Sequence, residues 1–112
     1  MGRLTTHVLD TASGRPAAGM KIELFRIGGA REHLRSAVTN ADGRIDGSLL
    51  DGAAFGEGLY EIVFDVGGYC DVAGTASFYD EVPIRFRVDA ADAHYHVPLL
   101  VSPFGYSTYR GS

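Results

Sequence analysis

The chain has 112 residues, a formal charge of −4, one cysteine and no tryptophan, and 46% of its residues are hydrophobic. At that length roughly 65% of the unfolded chain's surface is buried on folding, enough for a single domain over residues 1–112 and too little for two cores. The apolar content excludes low-hydrophobicity disorder, ten Lys plus Arg against 14 Asp plus Glu argue against a nucleic-acid binder, and a lone cysteine excludes an intramolecular disulfide.

No signal-peptide pattern opens the chain and no apolar run approaches the ~18–20 residues of a membrane span, so a cytoplasmic protein with no membrane partner is expected. In chain order, His7 lies in an early strand where His7 and Leu9 oppose Thr6 and Val8, a pattern too mixed to assign a core face. Ser13-Gly14-Arg15-Pro16 then reads as a turn. Met20 to Arg26 alternates with apolar residues at 20, 22 and 24, the period of a half-buried strand. Asn40-Ala41-Asp42-Gly43 is a second turn signal, and it delivers the Arg44 guanidinium to the start of the next strand.

The two-residue period recurs in Tyr60 to Val66 and in Val82 to Val88. Between them, Gly68 to Thr75 has no clean alternation and is expected to form two turns of helix. Short strands separated by glycine-rich turns have the texture of an antiparallel sandwich. Tyr95 to Val101 is the last apolar run, and Pro98 within it has no N–H for a ladder, so this strand is expected at an edge or bulge. An edge so apolar calls for a partner, most simply a second subunit. Beyond it, three aromatics and an arginine in the last nine residues suggest a docked tail rather than a frayed one.

Among residues able to carry chemistry, His94 and His96 share one strand face while Tyr95, Val97, Leu99 and Val101 share the other. Three readings stand open for the histidines. They are structural, or they bind a metal with a third ligand, or they exchange protons in a metal-free hydrolysis. Calcium at Asp42 to Gly47 is rejected, because Arg44 and Ala53 fall where that loop needs ligands. Arg44 instead offers a planar fork to a carboxylate or to an imide carbonyl pair. Cys70 has no basic neighbour in sequence and reads as a small buried thiol.

The two ends together resemble one family. Leu4-Thr5-Thr6-His7-Val8-Leu9-Asp10-Thr11-Ala12-Ser13-Gly14-Arg15-Pro16-Ala17 is similar to the N-terminal signature of the transthyretin-like 5-hydroxyisourate hydrolases, and His94 to Ser112 is similar to their C-terminal signature ending in Tyr-Arg-Gly-Ser. The resemblance implies an all-β, transthyretin-type two-sheet sandwich with one short helix. It also implies a homotetramer, a dimer of dimers with active sites at the junction of dimers. Its catalytic positions fall on His7, Arg44, His96 and Ser112, and its substrate-binding positions on His7, Arg44 and Tyr109, within a terminal Tyr109-Arg110-Gly111-Ser112. His94 occupies a motif position without an implied catalytic role, and His33 matches none. Where the family commonly has Phe-Phe-Pro-Glu, this chain reads Phe78-Tyr79-Asp80-Glu81-Val82-Pro83, with the proline displaced.

The reaction so implied is hydrolytic opening of 5-hydroxyisourate in urate degradation, with no cofactor and no metal. It gives 2-oxo-4-hydroxy-4-carboxy-5-ureidoimidazoline. Water attack on the ring carbonyl needs a base, an oxyanion partner and an acid, and His7, His96 and Arg44 match that inventory. The alternative is a small-molecule carrier of transthyretin type, since fold alone does not separate carrier from enzyme.

Overall fold

The computed structural model describes residues 1–112. Nine strands form, β1 (Arg3–Asp10), β2 (Arg15–Pro16), β3 (Lys21–Ile27), β4 (Arg31–Val38), β5 (Leu50–Asp51), β6 (Gly58–Asp65), β7 (Glu81–Val88), β8 (His94–Ser102) and β9 (Gly105–Thr108). One helix, α1 (Val66–Ala73), and a 3-10 turn at Gly52–Ala54 complete the chain. One sheet runs β2-β1-β8-β9, with β5 also paired to β1; the other runs β4-β3-β6-β7. The sheets pack through Leu4, Val8, Ile22, Leu24, Tyr60, Ile62, Phe64 and Leu99, each at most 1% exposed. Burying each such aliphatic side chain contributes about 1.5–3 kcal/mol relative to leaving it in water.

The two-sheet sandwich with one helix is the architecture the alternating segments predict. Met20, Ile22 and Leu24 are buried as expected, and so are Tyr95, Val97, Leu99 and Val101. Cys70 is a buried free thiol, and His33 lies on the surface against Ser36, 2.9 Å away. No helix is long and apolar enough to cross a membrane.

Four expectations are corrected. First, the sheets are not purely antiparallel: β1 and β8, from opposite ends of the chain, pair in parallel from Arg3↔His94 to Asp10↔Val101. Second, β6 is buried on both faces, because Glu61 on its outer side is covered by Arg31 and Arg85 and is only 4% exposed. Third, the helix begins at Val66, two residues before the expected start, because the Asp65 carboxylate accepts a hydrogen bond from Gly68 N at 3.1 Å and ends β6 there. The helix is fastened to β1 by Tyr69, whose hydroxyl donates to Asp10 Oδ2 at 2.8 Å. Burial and that carboxylate push the Tyr69 phenol up to about 12.

Fourth, β8 is not an edge, since β9 covers its free side. Pro98 is accommodated by an interruption in the partner. Pairing with the C-terminal segment runs from Ser102↔Gly105 to Leu99↔Thr108, then resumes only at His96↔Gly111. The missing N–H therefore falls in the gap, while the Pro98 carbonyl accepts from Thr108 Oγ1 at 2.8 Å. The sheet's free edge moves outward to β9, where Tyr106 is 41% exposed.

Candidate active site

Leu4, Thr6 and Val8 point into the core, so the alternation of β1 turns Arg3, Thr5 and His7 to the outer face. On β8, the buried set Tyr95, Val97, Leu99 and Val101 leaves His94 and His96 on that same outer face. Parallel register puts Arg3 opposite His94 and Thr5 opposite His96. The mixed pattern around His7 is thereby resolved: its face is the polar one.

Arg44 arrives from a tightly bonded turn. The Asn40 side-chain carbonyl accepts from the backbone N–H of Asp42 (2.9 Å) and of Arg44 (3.2 Å), and the carbonyl of Gly43 accepts from Val8 N at 2.8 Å. Gly43 adopts φ 73°, and a Cβ there would meet the Val8 carbonyl at 2.4 Å, so both conformation and space demand glycine. No strand follows as expected. Instead Arg44 forms an isolated bridge to His7, which fixes the two next to each other.

The tail closes the other side. Gly111 N donates to the His96 carbonyl at 2.7 Å, and a Cβ on Gly111 would lie 2.5 Å from His96 Cδ2. Glycine is needed because the tail backbone packs directly against the imidazole. An open cleft of about 280 Å³ results, lined by Arg3, Thr5, Arg44, His94, His96 and Ser112 among others, with no Asp or Glu side chain in its wall.

Thr5 Oγ1 lies 2.7 Å from His94 Nε2 and 2.8 Å from His96 Nδ1. His96 Nε2 is the remaining nitrogen of that ring. Burial first, then the positive field of Arg44 and the neighbouring His94 and His7, hold the His96 imidazole below the usual histidine range. The neutral imidazole is therefore the favoured form at pH 7. No three His, Cys, Asp or Glu side chains converge in a set able to hold a metal ion.

Arg44, His96 and Ser112, drawn from the middle and the C-terminal end of the sequence, thus line one cleft, and His7 adjoins it through its bridge to Arg44. Tyr109 does not join them within the chain. It is 59% exposed and lines a separate cleft with Phe86, Tyr95 and Arg110, where the Arg110 guanidinium stacks 4.1 Å from the Tyr95 ring. Sequence reasoning missed Thr5, although its place two residues before His7 puts it on the histidine's face.

Known proteins resemble this chain over its whole length. The chain is 59% identical over 116 aligned positions to 5-hydroxyisourate hydrolase 2 of Rhizobium meliloti (strain 1021), covering 99% of this chain and 97% of that one. Its fold superposes on (S)-allantoin synthase with TM-score 0.94 and 47% identity, covering 99% of this chain but only 44% of that longer one. Sea bream transthyretin in complex with thyroxine gives TM-score 0.91 at 28% identity, covering 97% of this chain and 94% of that one. Residues 4–111 match the HIUase/transthyretin family, and with the full-length likeness this shows that the chain belongs to that family.

Proposed function

We propose that the protein hydrolyses 5-hydroxyisourate, opening its six-membered ring at an amide bond, with residues 1–112 acting as one catalytic domain. The observation that carries this reading is the meeting of Arg44, His96 and Ser112 at a cleft without acidic side chains, with His7 bridged to Arg44 beside it, in a chain 59% identical to a 5-hydroxyisourate hydrolase. His96, neutral at pH 7, takes a proton from the attacking water at Nε2. Arg44 holds the ring carbonyl and stabilises the negative charge that develops there. His7, bridged to Arg44, protonates the departing nitrogen in this reading. Ser112 orients the water or an imidazole. No metal enters this scheme, and activity is expected to persist after exhaustive chelation.

The same reading extends to assembly. A homotetramer, a dimer of dimers, is supported by the unpaired β9 edge and by the exposed aromatics beside it: Phe78 (71% exposed), Phe104 (72%), and Tyr79 with Tyr106 edge to face at 5.1 Å. Tyr109, outside its own chain's histidine cleft, would then bind substrate across a subunit junction. A cytoplasmic location fits the single buried thiol.

The test is decay of freshly generated 5-hydroxyisourate, produced by urate oxidase, with and without the purified protein. His96→Ala and Arg44→Ala should fold and assemble yet lose roughly 10²–10⁴-fold in rate. Near-normal rates in both would overturn the assignment. Tight binding of small aromatic molecules without turnover would favour the carrier alternative.

A further inference from the structure

The geometry points to Thr5 as a positioning residue of this site, its hydroxyl acting as a one-proton relay that locks His94 and His96 into the same tautomer. This inference rests on the hydrolytic reading above and extends it to a residue that touches no reacting atom.

The argument begins with proton counting. At 2.7 and 2.8 Å both contacts to Thr5 Oγ1 are hydrogen bonds, yet a hydroxyl has one proton to give. Thr5 therefore donates to at most one imidazole, and since its hydroxyl has no other partner, the arrangement that uses its proton has it donate to one ring and accept from the other. If it donates to His94 Nε2, His96 Nδ1 carries the proton and His96 Nε2 is a lone pair, the form a base needs. If it donates to His96 Nδ1, His94 Nε2 carries the proton and His96 Nε2–H is a donor. One ring cannot change tautomer without the other.

The relay also gives the catalytic proton somewhere to go. When His96 takes a proton at Nε2 it becomes an imidazolium, in a half-buried position beside Arg44 where positive charge is disfavoured. Transfer of the Nδ1 proton to Thr5 Oγ1, with the Thr5 hydroxyl proton passing to His94 Nε2, leaves His96 neutral and moves the charge to His94. That ring is exposed to water and hydrates the charge better. His96 is then an Nε2–H donor; reversal of the two transfers as that Nε2 proton is given up to the product restores the starting state. The groups facing His96 are Arg3 and His7 on β1, Arg44 on the turn, His94 on β8 and Ser112 in the tail, while Arg110 reaches the His94 carbonyl at 3.4 Å. Of these, only His94 shares a hydrogen-bond partner with His96.

The experiment combines kinetics with ¹⁵N NMR of the imidazoles in the intact protein. Thr5→Val, which keeps the shape and removes the hydroxyl, should lower kcat by roughly 10–100-fold with KM changed less than about threefold, and should move the acidic limb of the pH profile downward. Thr5→Ser should restore kcat to within about threefold. His94→Gln should lose a similar factor to Thr5→Val, and the double variant should be no worse than Thr5→Val alone, because both remove one relay. In the wild-type spectra the two rings should titrate as a coupled pair and share one neutral tautomer, both Nδ1–H or both Nε2–H. Unchanged kcat in Thr5→Val, additive losses in the double variant, or independent titrations would each overturn the relay. Failure of the wild-type protein to hydrolyse 5-hydroxyisourate would overturn the functional reading instead, and the spectra would still decide whether the relay exists. They decide it also if Thr5→Val does not fold.

Discussion

On the outer face of the β4-β3-β6-β7 sheet, Glu61 is 4% exposed and accepts from Arg31 at 2.7 Å and Arg85 at 2.8 Å, while the Arg31 guanidinium also covers the Phe25 ring at 3.6 Å. On the outer face of the other sheet, His96 sits half-buried beside Arg44, and no acidic side chain lines the cleft. Each sheet thus draws polar groups out of water, but only one cancels its charge. The paired cluster stabilises its own surroundings and asks nothing of a ligand. The unpaired one leaves a cation and an imidazole at a cleft, and a substrate whose reacting carbonyl gains negative charge completes it.

The largest way to break the contrast is to remove the wall of the unpaired site. Deleting Tyr109 to Ser112 takes away the backbone that packs on His96 but leaves β9, which ends at Thr108. The truncated chain should fold, shown by an unchanged far-ultraviolet spectrum, with activity at the uncatalysed rate. Intact activity would mean that the tail is not part of the site. A step smaller, Gly111→Ala keeps the tail but puts a methyl 2.5 Å from His96 Cδ2, so either the tail or the ring must move. A loss of roughly 10–100-fold in kcat is expected, because a displacement near 1 Å at reacting groups costs about that much.

Changing the field rather than the wall gives a smaller effect. The His96 imidazole is held below 6.5 by burial, then Arg44, His94 and His7. The base must be unprotonated, so activity should fall as pH drops through that lowered value, with the acidic limb of kcat/KM below pH 6.5. In Arg44→Ala the residual activity should show that limb moved upward, toward the ordinary histidine value. A limb that stays in place would mean that Arg44 does not act on His96 electrostatically.

How much of this was legible beforehand follows from the range of the interactions. Strand faces for Met20 to Leu24 and Tyr95 to Val101 were readable, because a two-residue period is local. The parallel pairing of β1 with β8 was not, since it joins segments some 90 residues apart and leaves no local mark. The burial of Glu61 was hidden for the same reason: two other strands, β4 and β7, supply the cover. Pro98 was read correctly as lacking a donor and wrongly as marking an edge or a bulge, because the gap at Tyr109 and Arg110 lies in another segment and leaves the register unshifted. His7, Arg44, His96 and Ser112 came from family likeness at the two ends. Thr5 escaped because its role is to join two residues that sequence order places 89 and 91 positions away.

The smallest expected effect on activity tests the paired side. Two arginine bonds, with burial opposing them, hold the Glu61 carboxyl below its ordinary 4.5. The native state therefore binds fewer protons than the unfolded chain in the acid range. Glu61 contributes stability above that range, and the contribution is lost as pH falls through the lowered value. Glu61→Gln should destabilise the protein by about 1–3 kcal/mol at pH 7, a figure limited by the exposure of both arginines, and the gap to wild type should close in acid. Activity per folded molecule should stay unchanged, since the substitution lies on the opposite sheet. Thermal melts across pH beside 5-hydroxyisourate assays would check both halves. A drop in specific activity would mean that the two outer faces are coupled through the core, and the division between a charge that is paired for stability and one left open for substrate would no longer hold.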